Sequence, residues 1–341
     1  MTHEQELIAA IKKADLDSVE RLIKEGADLN YKDEDKTSYG FTWPLLHHCI
    51  FKGGSSQSKK YTEIAELLLQ NGASIEAVNF TGETPALFAV KYFAFDILDL
   101  LVKSGANIHG INNNGQNAFD IVLDRYYYDQ RLDEDHIGDE EDEAVKTAIR
   151  KGEGESLTRM LQRVDALVKN GYDLNTGEYS AAFSTLLEIA ENKLPTKALL
   201  YLFDKGANPR ENIKSKDGES HPLFNYACNM KLPVKILEAM ANKIGLNYIF
   251  EQYDDFDTFT IAIINNNLAL VKRLVQLGAD IHAQDELPLV TACDMGYQKI
   301  VEYLVEQGAN INFVDAKGKT AITYAEEGGF TEIADYLRSK L

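Results

Sequence analysis

The chain has 341 residues, 35 Lys plus Arg against 54 Asp plus Glu for a formal net charge of −19, and hydrophobic and charged fractions of 45% and 26%. That composition can bury a core, which excludes a wholly disordered chain, and no apolar run approaches the roughly 18 residues that span a bilayer. The acidic balance counts against direct binding to nucleic acid or an anionic membrane, because carboxylate repels phosphate.

The opening residues show no n-region, h-region or cleavage site, and the three cysteines, at 49, 228 and 293, form no CxxC pair. Both features fit a reducing, cytoplasmic setting. The first predicted element is a helix with no turn segment before it, carrying Ala9. A second helix follows and closes in Leu-Ile-Lys-Glu-Gly-Ala-Asp-Leu at 22–29. That string returns at 68–75, 101–108, 274–281 and 304–311, with weaker copies around Gly171, Gly206 and Gly245. Upstream of the later glycines lies a small residue in an apolar stretch: Cys49, Ala89, Val122, Ala190, Ala227, Ala262, Ala292 and Ala325. A small residue at a fixed place predicts a slot where two backbones approach closely. From small residue to glycine the offset is 16 in four units, 89 to 105, 190 to 206, 262 to 278 and 292 to 308. The predicted unit is helix, tight turn, second helix with a C′ glycine at positive φ, then an extended finger. Turn chemistry places fingers at Asn79–Gly82, Asn112–Gly115, Lys216–Gly218 and Asp315–Gly318.

Two units break the offset. Lys52–Lys60 reads as a flexible loop by composition, and Val122 to Gly171 is one period too long. We expect 126–157 to be an acidic, solvated excursion, with a second helix around Ser156–Lys169. Residues 1–30 and 318–341 read as capping repeats, so 1–341 is expected to be one complete array.

This register resembles the ankyrin repeat family, whose unit of about 33 residues carries T-P-L-H-x-A. The matching residues are Gly82-Glu83-Thr84-Pro85-Ala86-Leu87-Phe88-Ala89, Gly318 through Ala325, and the helix-turn-helix run from Ala292 to Asn310. The resemblance implies an all-α, curved ankyrin-repeat solenoid of about nine helix-turn-helix units, with short β-like fingers and an acidic insertion in the fourth unit. It also implies a partner site in the concave surface of fingers and first helices. The signature His survives only at His47, its place being taken by Leu87, Asp120, Asn225, Thr260, Val290 and Thr323. The turn hydrogen bonds that this His makes are therefore not expected in most units.

No residue pattern points to catalysis. His47, His48 and Cys49 are helical neighbours about 100° apart and cannot converge on one ion. The run Asp133–Glu143 begins like a calcium loop but fails at Ile137 and Ala144. Phosphate cradle, GxSxG and HExxH are all missing, so no catalytic residue, cofactor or metal is expected. Surface is what remains. Aromatics in fingers and in the insertion, Tyr39, Trp43, Phe80, Tyr126, Tyr127, Tyr179 and Tyr253, are candidate partner-binding residues together with Asp254 and Asp255. Phe41, Phe80 and Phe256 are also expected to pack beneath their own fingers. The expected function is a non-catalytic module that binds another protein, one with a basic surface, as a monomer by default. The alternative is an acidic inhibitor or immunity-type protein that covers the basic cleft of a toxin, nuclease or other nucleic-acid-binding enzyme.

Overall fold

A computed structural model of the chain describes residues 2–34, 42–54, 58–134, 143–176, 180–190, 194–195, 197–214, 220–251 and 253–341. Two compact units divide it, Met1–Gly177 and Glu178–Leu341. Among the described residues the N-terminal unit holds four helix pairs: α1 (His3–Lys12) with α2 (Leu16–Lys24), α3 (Leu45–Gly53) with α4 (Ser58–Gln70), α5 (Pro85–Lys91) with α6 (Phe95–Lys103), and α7 (Ala118–Glu134) with α8 (Glu143–Lys169). The C-terminal unit holds five: α9 (Ala181–Ala190) with α10 (Lys197–Asp204), α11 (Leu223–Asn229) with α12 (Val234–Ile244), α13 (Thr258–Ile264) with α14 (Leu268–Gln276), α15 (Ala283–Asp294) with α16 (Gln298–Glu306), and α17 (Ala321–Glu327) with α18 (Thr331–Arg338). Within each unit first helices pack on first helices, α1 on α3, α3 on α5, α5 on α7, and α11 on α13, α13 on α15, α15 on α17. Second helices do the same, α2 on α4 and α4 on α6, and then α10 on α12, α12 on α14, α14 on α16 and α16 on α18. The all-α repeat architecture and the nine pairs match the sequence register.

Local chemistry starts and stops each helix. Thr84 caps α5 by accepting from the Leu87 amide at 3.3 Å, with Pro85 at the first helical position where no N–H is needed. At the end of α6, Gly105 takes φ 96°, its N–H donates to the Val102 carbonyl and the Ala106 N–H to the Leu101 carbonyl, both at 3.0 Å. Together these form a Schellman closure that an L side chain would strain.

In six pairs the small slot is the fifth residue of the first helix, and Cys49, Ala89, Val122, Ala227, Ala262 and Ala325 are fully buried there. Two landmarks move. In the first pair Ala10 is 6% exposed while Ala9 is half-exposed, so Ala10, which also stands 16 before Gly26, fills the slot. In the fifth pair Ser180 caps α9 through the Phe183 amide, which puts Thr185, not Ala190, at the fifth position. Ala190 ends that helix, and its offset of 16 is coincidental because α9, at 10 residues, runs three residues longer than α5, α11, α13 and α17.

Fingers differ in length. The pair β1 (Lys32–Glu34) and β2 (Thr42–Pro44) is an antiparallel hairpin with Lys32 opposite Pro44. So is β3 (Asn212–Lys214) with β4 (Ser220–Pro222), Asn212 opposite Pro222. Shorter fingers are Asx turns: Asn79 Oδ1 accepts from the Thr81 and Glu83 amides, Asn112 Oδ1 from Asn114 and Gln116, and Asp315 Oδ1 from Lys317 and Lys319. Neighbouring fingers touch, the Asn113 N–H donating to the Thr81 carbonyl at 3.0 Å. Before α15 the segment from Gly278 to Ala292 is three residues shorter than that from Gly72 to Ala89. Gln284, Asp285 and Glu286 bridge it in left-handed conformation, with φ of 49°, 60° and 59°.

The insertion departs from expectation. Where a solvated loop was expected from 126 onward, α7 runs for 17 residues and α8 for 27. A buried ion pair locks them: Arg163 Nη1 lies 3.0 Å from Asp129 Oδ2, with side chains 1% and 4% exposed. The Arg163 Nε–H also donates to the Val90 carbonyl at 3.2 Å, and the guanidinium covers the Phe93 ring at 4.0 Å. Burial lowers the Arg163 pKa to about 10, with the Asp129 carboxylate pulling the other way. The calcium-like run is mostly outside the described residues, which stop at 134 and resume at 143.

Candidate functional site

In the N-terminal unit the first helices carry a continuous row of rings. Trp43, on β2 just before the Pro44 cap, lies 5.4 Å from His48, 5.2 Å from Phe51 and 5.3 Å from Phe88, centroid to centroid. Phe51 then meets Tyr92 at 5.1 Å, and Phe88 meets Tyr92 at 4.5 Å. Edge and tilted contacts at these distances add about 0.5–1.5 kcal/mol per pair beyond area burial. Arg125 of α7 extends the row, 5.7 Å above Tyr92 and 4.2 Å from Tyr128. Phe51 is 39% exposed and Tyr128 49%, whereas Phe88 is buried beneath them. Burial raises the Tyr92 phenol above its ordinary range, with Arg125 opposing. Glu83, buried at the base of its finger, accepts from Asn79 at 3.0 Å and pairs with Lys91 at 2.7 Å.

The C-terminal unit repeats the device. Trp43-Pro44-Leu45-Leu46-His47-His48 and His221-Pro222-Leu223-Phe224-Asn225-Tyr226 are equivalent stretches, each entering a first helix from a hairpin strand. His221 accordingly lies 6.0 Å from Tyr226, as Trp43 lies near His48. Tyr226 meets Phe183 at 5.5 Å, and His221 meets Tyr253 at 5.4 Å. Tyr253 sits on a third hairpin closed by the Phe250 N–H donating to the Phe256 carbonyl at 3.0 Å and Thr258 N–H to Tyr248 at 3.1 Å. Its tip is Asp254-Asp255, both exposed and both left-handed, at φ 49° and 54°, the signature of a type I′ turn.

The sequence candidates divide as follows. Trp43 and Tyr253 are half-buried in these rows, and Asp254 and Asp255 are exposed beside Tyr253. Phe80, expected to pack under its finger, is 45% exposed instead. Tyr126 is corrected: at 1% exposed it belongs to the core, because α7 continues as a helix and turns that ring inward against its neighbours. Tyr127 is half-buried, 5.5 Å from it. Tyr39, Tyr179 and Phe41 lie outside the described residues. Sequence reasoning missed Phe51, Tyr92 and Arg125, which stand two or three residues after the slots at Cys49, Ala89 and Val122. Reading those offsets across repeats would have found them.

His47 does act as the signature residue, its Nε2 meeting the Glu83 carbonyl of the next finger at 2.9 Å. Among the described residues no group of three or more His, Cys, Asp or Glu is placed to hold a metal, and no helix is long and apolar enough to cross a membrane.

The family model for ankyrin repeats matches residues 7–112 and 259–340, in three copies. This chain belongs to the ankyrin-repeat family. A glycerophosphocholine phosphodiesterase of Schizosaccharomyces pombe is 38% identical over 139 residues, 40% of this chain and 12% of that protein. An ankyrin repeat protein of Acanthamoeba polyphaga mimivirus is 24% identical over 233 residues, 58% of this chain and 31% of the relative. The human protein phosphatase 1 regulatory subunit 27 is 48% identical over 52 residues, 14% of this chain and 34% of the relative. The chain thus spans about a third or less of the length of these relatives. What it shares with the mimivirus relative is ankyrin repeats, a generic protein-interaction module.

Proposed function

We propose that the protein is a non-catalytic interaction module that binds a partner protein through its fingers and first helices. The observation that carries this is the row from Trp43 through Phe51 and Tyr92 to Tyr128, in which three repeats contribute rings and the outer ones are open to solvent. Rigid rings bury large area at small entropy cost, which is why such residues anchor interfaces. The relative named as a phosphatase regulatory subunit supports a protein as the partner. In the C-terminal unit, Tyr253 beside the exposed Asp254 and Asp255 suits a partner segment with a basic face. A basic partner would also fit the alternative reading, an acidic inhibitor of a nucleic-acid-binding enzyme, and the net charge of −19 favours it only in that general way.

The test is affinity capture from host lysate, comparing the intact protein with a Trp43→Ala, Tyr253→Ala double variant and eluting in salt steps. We expect one stoichiometric protein that the double variant loses. Equal recovery on a folded double variant would refute the assignment of these two rings.

A further inference from the structure

We infer that a groove on the second-helix layer of the N-terminal unit receives a lysine side chain of a partner protein. The rings described above stand on and beside first helices, so this is a second surface and does not depend on them. A groove of about 360 Å³ lies between α4 and α6, with Glu66, Leu69, Gln70, Ile75, Leu100 and Ser104 among its lining residues. Ligand pockets run from roughly 300 to 1,000 Å³, so this one suits a single long side chain. Leu69, Ile75 and Leu100 are half-buried and make apolar walls, while the exposed Glu66, Gln70 and Ser104 bring a carboxylate, an amide and a hydroxyl to it.

One repeat further on, the protein fills the equivalent place with its own lysine. Glu66 stands six residues before the closing Gly72, and Asp99 six before Gly105. Asp99 is paired with Lys169 of α8, two residues before Gly171, and accepts from the Asn170 amide at 2.7 Å. In the C-terminal unit Lys243 of α12 reaches Asp204 of α10, and Arg273 of α14 reaches Glu238 of α12 at 2.9 Å. Cations thus bridge neighbouring second helices in three places. Between α4 and α6, among the described residues, no ion pair does, and the Glu66 carboxylate accepts only from the neutral Gln70 amide, at 3.3 Å. Lys103 is the counterpart of Lys169, but its charge acts on Asp99 instead: burial pushes that carboxyl up, while Lys169, Asn170 and Lys103, four residues on along α6, bring it below its usual range. The charge of Glu66 is left for a cation from outside. Lysine fits better than arginine, because an ammonium fans three donors out to separate acceptors and its four-carbon stem lies along apolar walls, whereas a guanidinium fork matches one carboxylate face-on. Since the groove is open and covers only one side chain, a free amine gains too little from it, and a protein supplies the remaining contact.

Methyl NMR on the full chain, labelled at Ile and Leu methyls, reads the groove directly through Leu69, Ile75 and Leu100. The probes are a short Gly/Ser peptide carrying one Lys, and the same peptide with norleucine, or with Arg, in its place. The Lys peptide should shift these methyls saturably and bind about threefold or more tighter than the norleucine peptide, an advantage that shrinks as salt rises. Glu66→Gln should remove the advantage, whereas Glu63→Gln, exposed on the same helix and outside the groove, should keep it. Both changes are isosteric at exposed positions, and circular dichroism melts check that the fold is kept. No shift with the Lys peptide, equal binding of the norleucine peptide, or an advantage retained in Glu66→Gln would overturn the inference. Tighter binding of the Arg peptide, or of butylammonium alone, would equally overturn it. Any of these failures leaves the ring surface to its own test, in which Trp43 and Tyr253 are changed and Glu66 is not.

Discussion

His47 is fully buried between its own helix and the next finger, and removing its ring from water holds the imidazole pKa down to about 4 from an ordinary 6.5, although the Glu83 carbonyl pulls it up. The unfolded chain therefore takes up this proton more readily than the folded one. Stability from His47 is whole above pH 6.5, falls as pH drops from there towards 4, and amounts to roughly 3 kcal/mol over that window. Urea unfolding of wild type and His47→Asn, the residue that Asn225 supplies in the sixth pair, should show the curves converging as pH falls. A constant gap between them would place the proton elsewhere. A second residue effect lies in the turn between paired helices. Gly296 and Gly329 take φ of 72° and 78° there, but Lys231 adopts φ 55° with a side chain that stays in solvent. Lys231→Gly should raise stability by up to about 1 kcal/mol, the strain relieved exceeding the added chain entropy. A fall in thermal midpoint would show the entropy term winning.

Helix pairs were legible in the sequence wherever the unit is local: a cap, an apolar stripe, a glycine, a turn. Legibility failed where one element depends on another far away in the chain. α7 and α8 contain few aliphatics near residues 128–137, and reading that stretch alone predicts a loop. Asp129 and Arg163 complete the element instead, 34 residues apart and each meaningless without the other. Arg163→Met should cost about 3 kcal/mol because it leaves the buried carboxylate only its longer, 3.4 Å contact with Arg125, and Arg163→Met with Asp129→Leu should recover much of that. Chemical denaturation of the three proteins measures it, and additive losses in the double variant would mean that the pair is not coupled. Ala190 failed for the same reason on a smaller scale: offset counting cannot see that Ser180 starts the helix early.

At the scale of the molecule, the charge is large and acidic. With a net charge of −19 and an isoelectric point near 4.8, self-repulsion works against the compact state. Raising sodium chloride from about 0.05 to 0.5 M should screen this and lift the thermal midpoint by a few degrees; a midpoint insensitive to salt would show that local ion pairs such as Arg163–Asp129 already offset it.

By itself the sequence determined the repeat: nine helix pairs, their glycine closures and the family they belong to, because each repeat encodes its fold through contacts within some thirty residues. Tertiary structure alone decided which side chains face a partner. Tyr126 and Tyr128 are two residues apart in one tyrosine run, yet one is core and the other 49% exposed, because successive helical positions diverge by about 100° and packing, not composition, chooses which is covered. Rings from Trp43, Phe51 and Tyr92 likewise become one surface only when helices distant in sequence lie side by side.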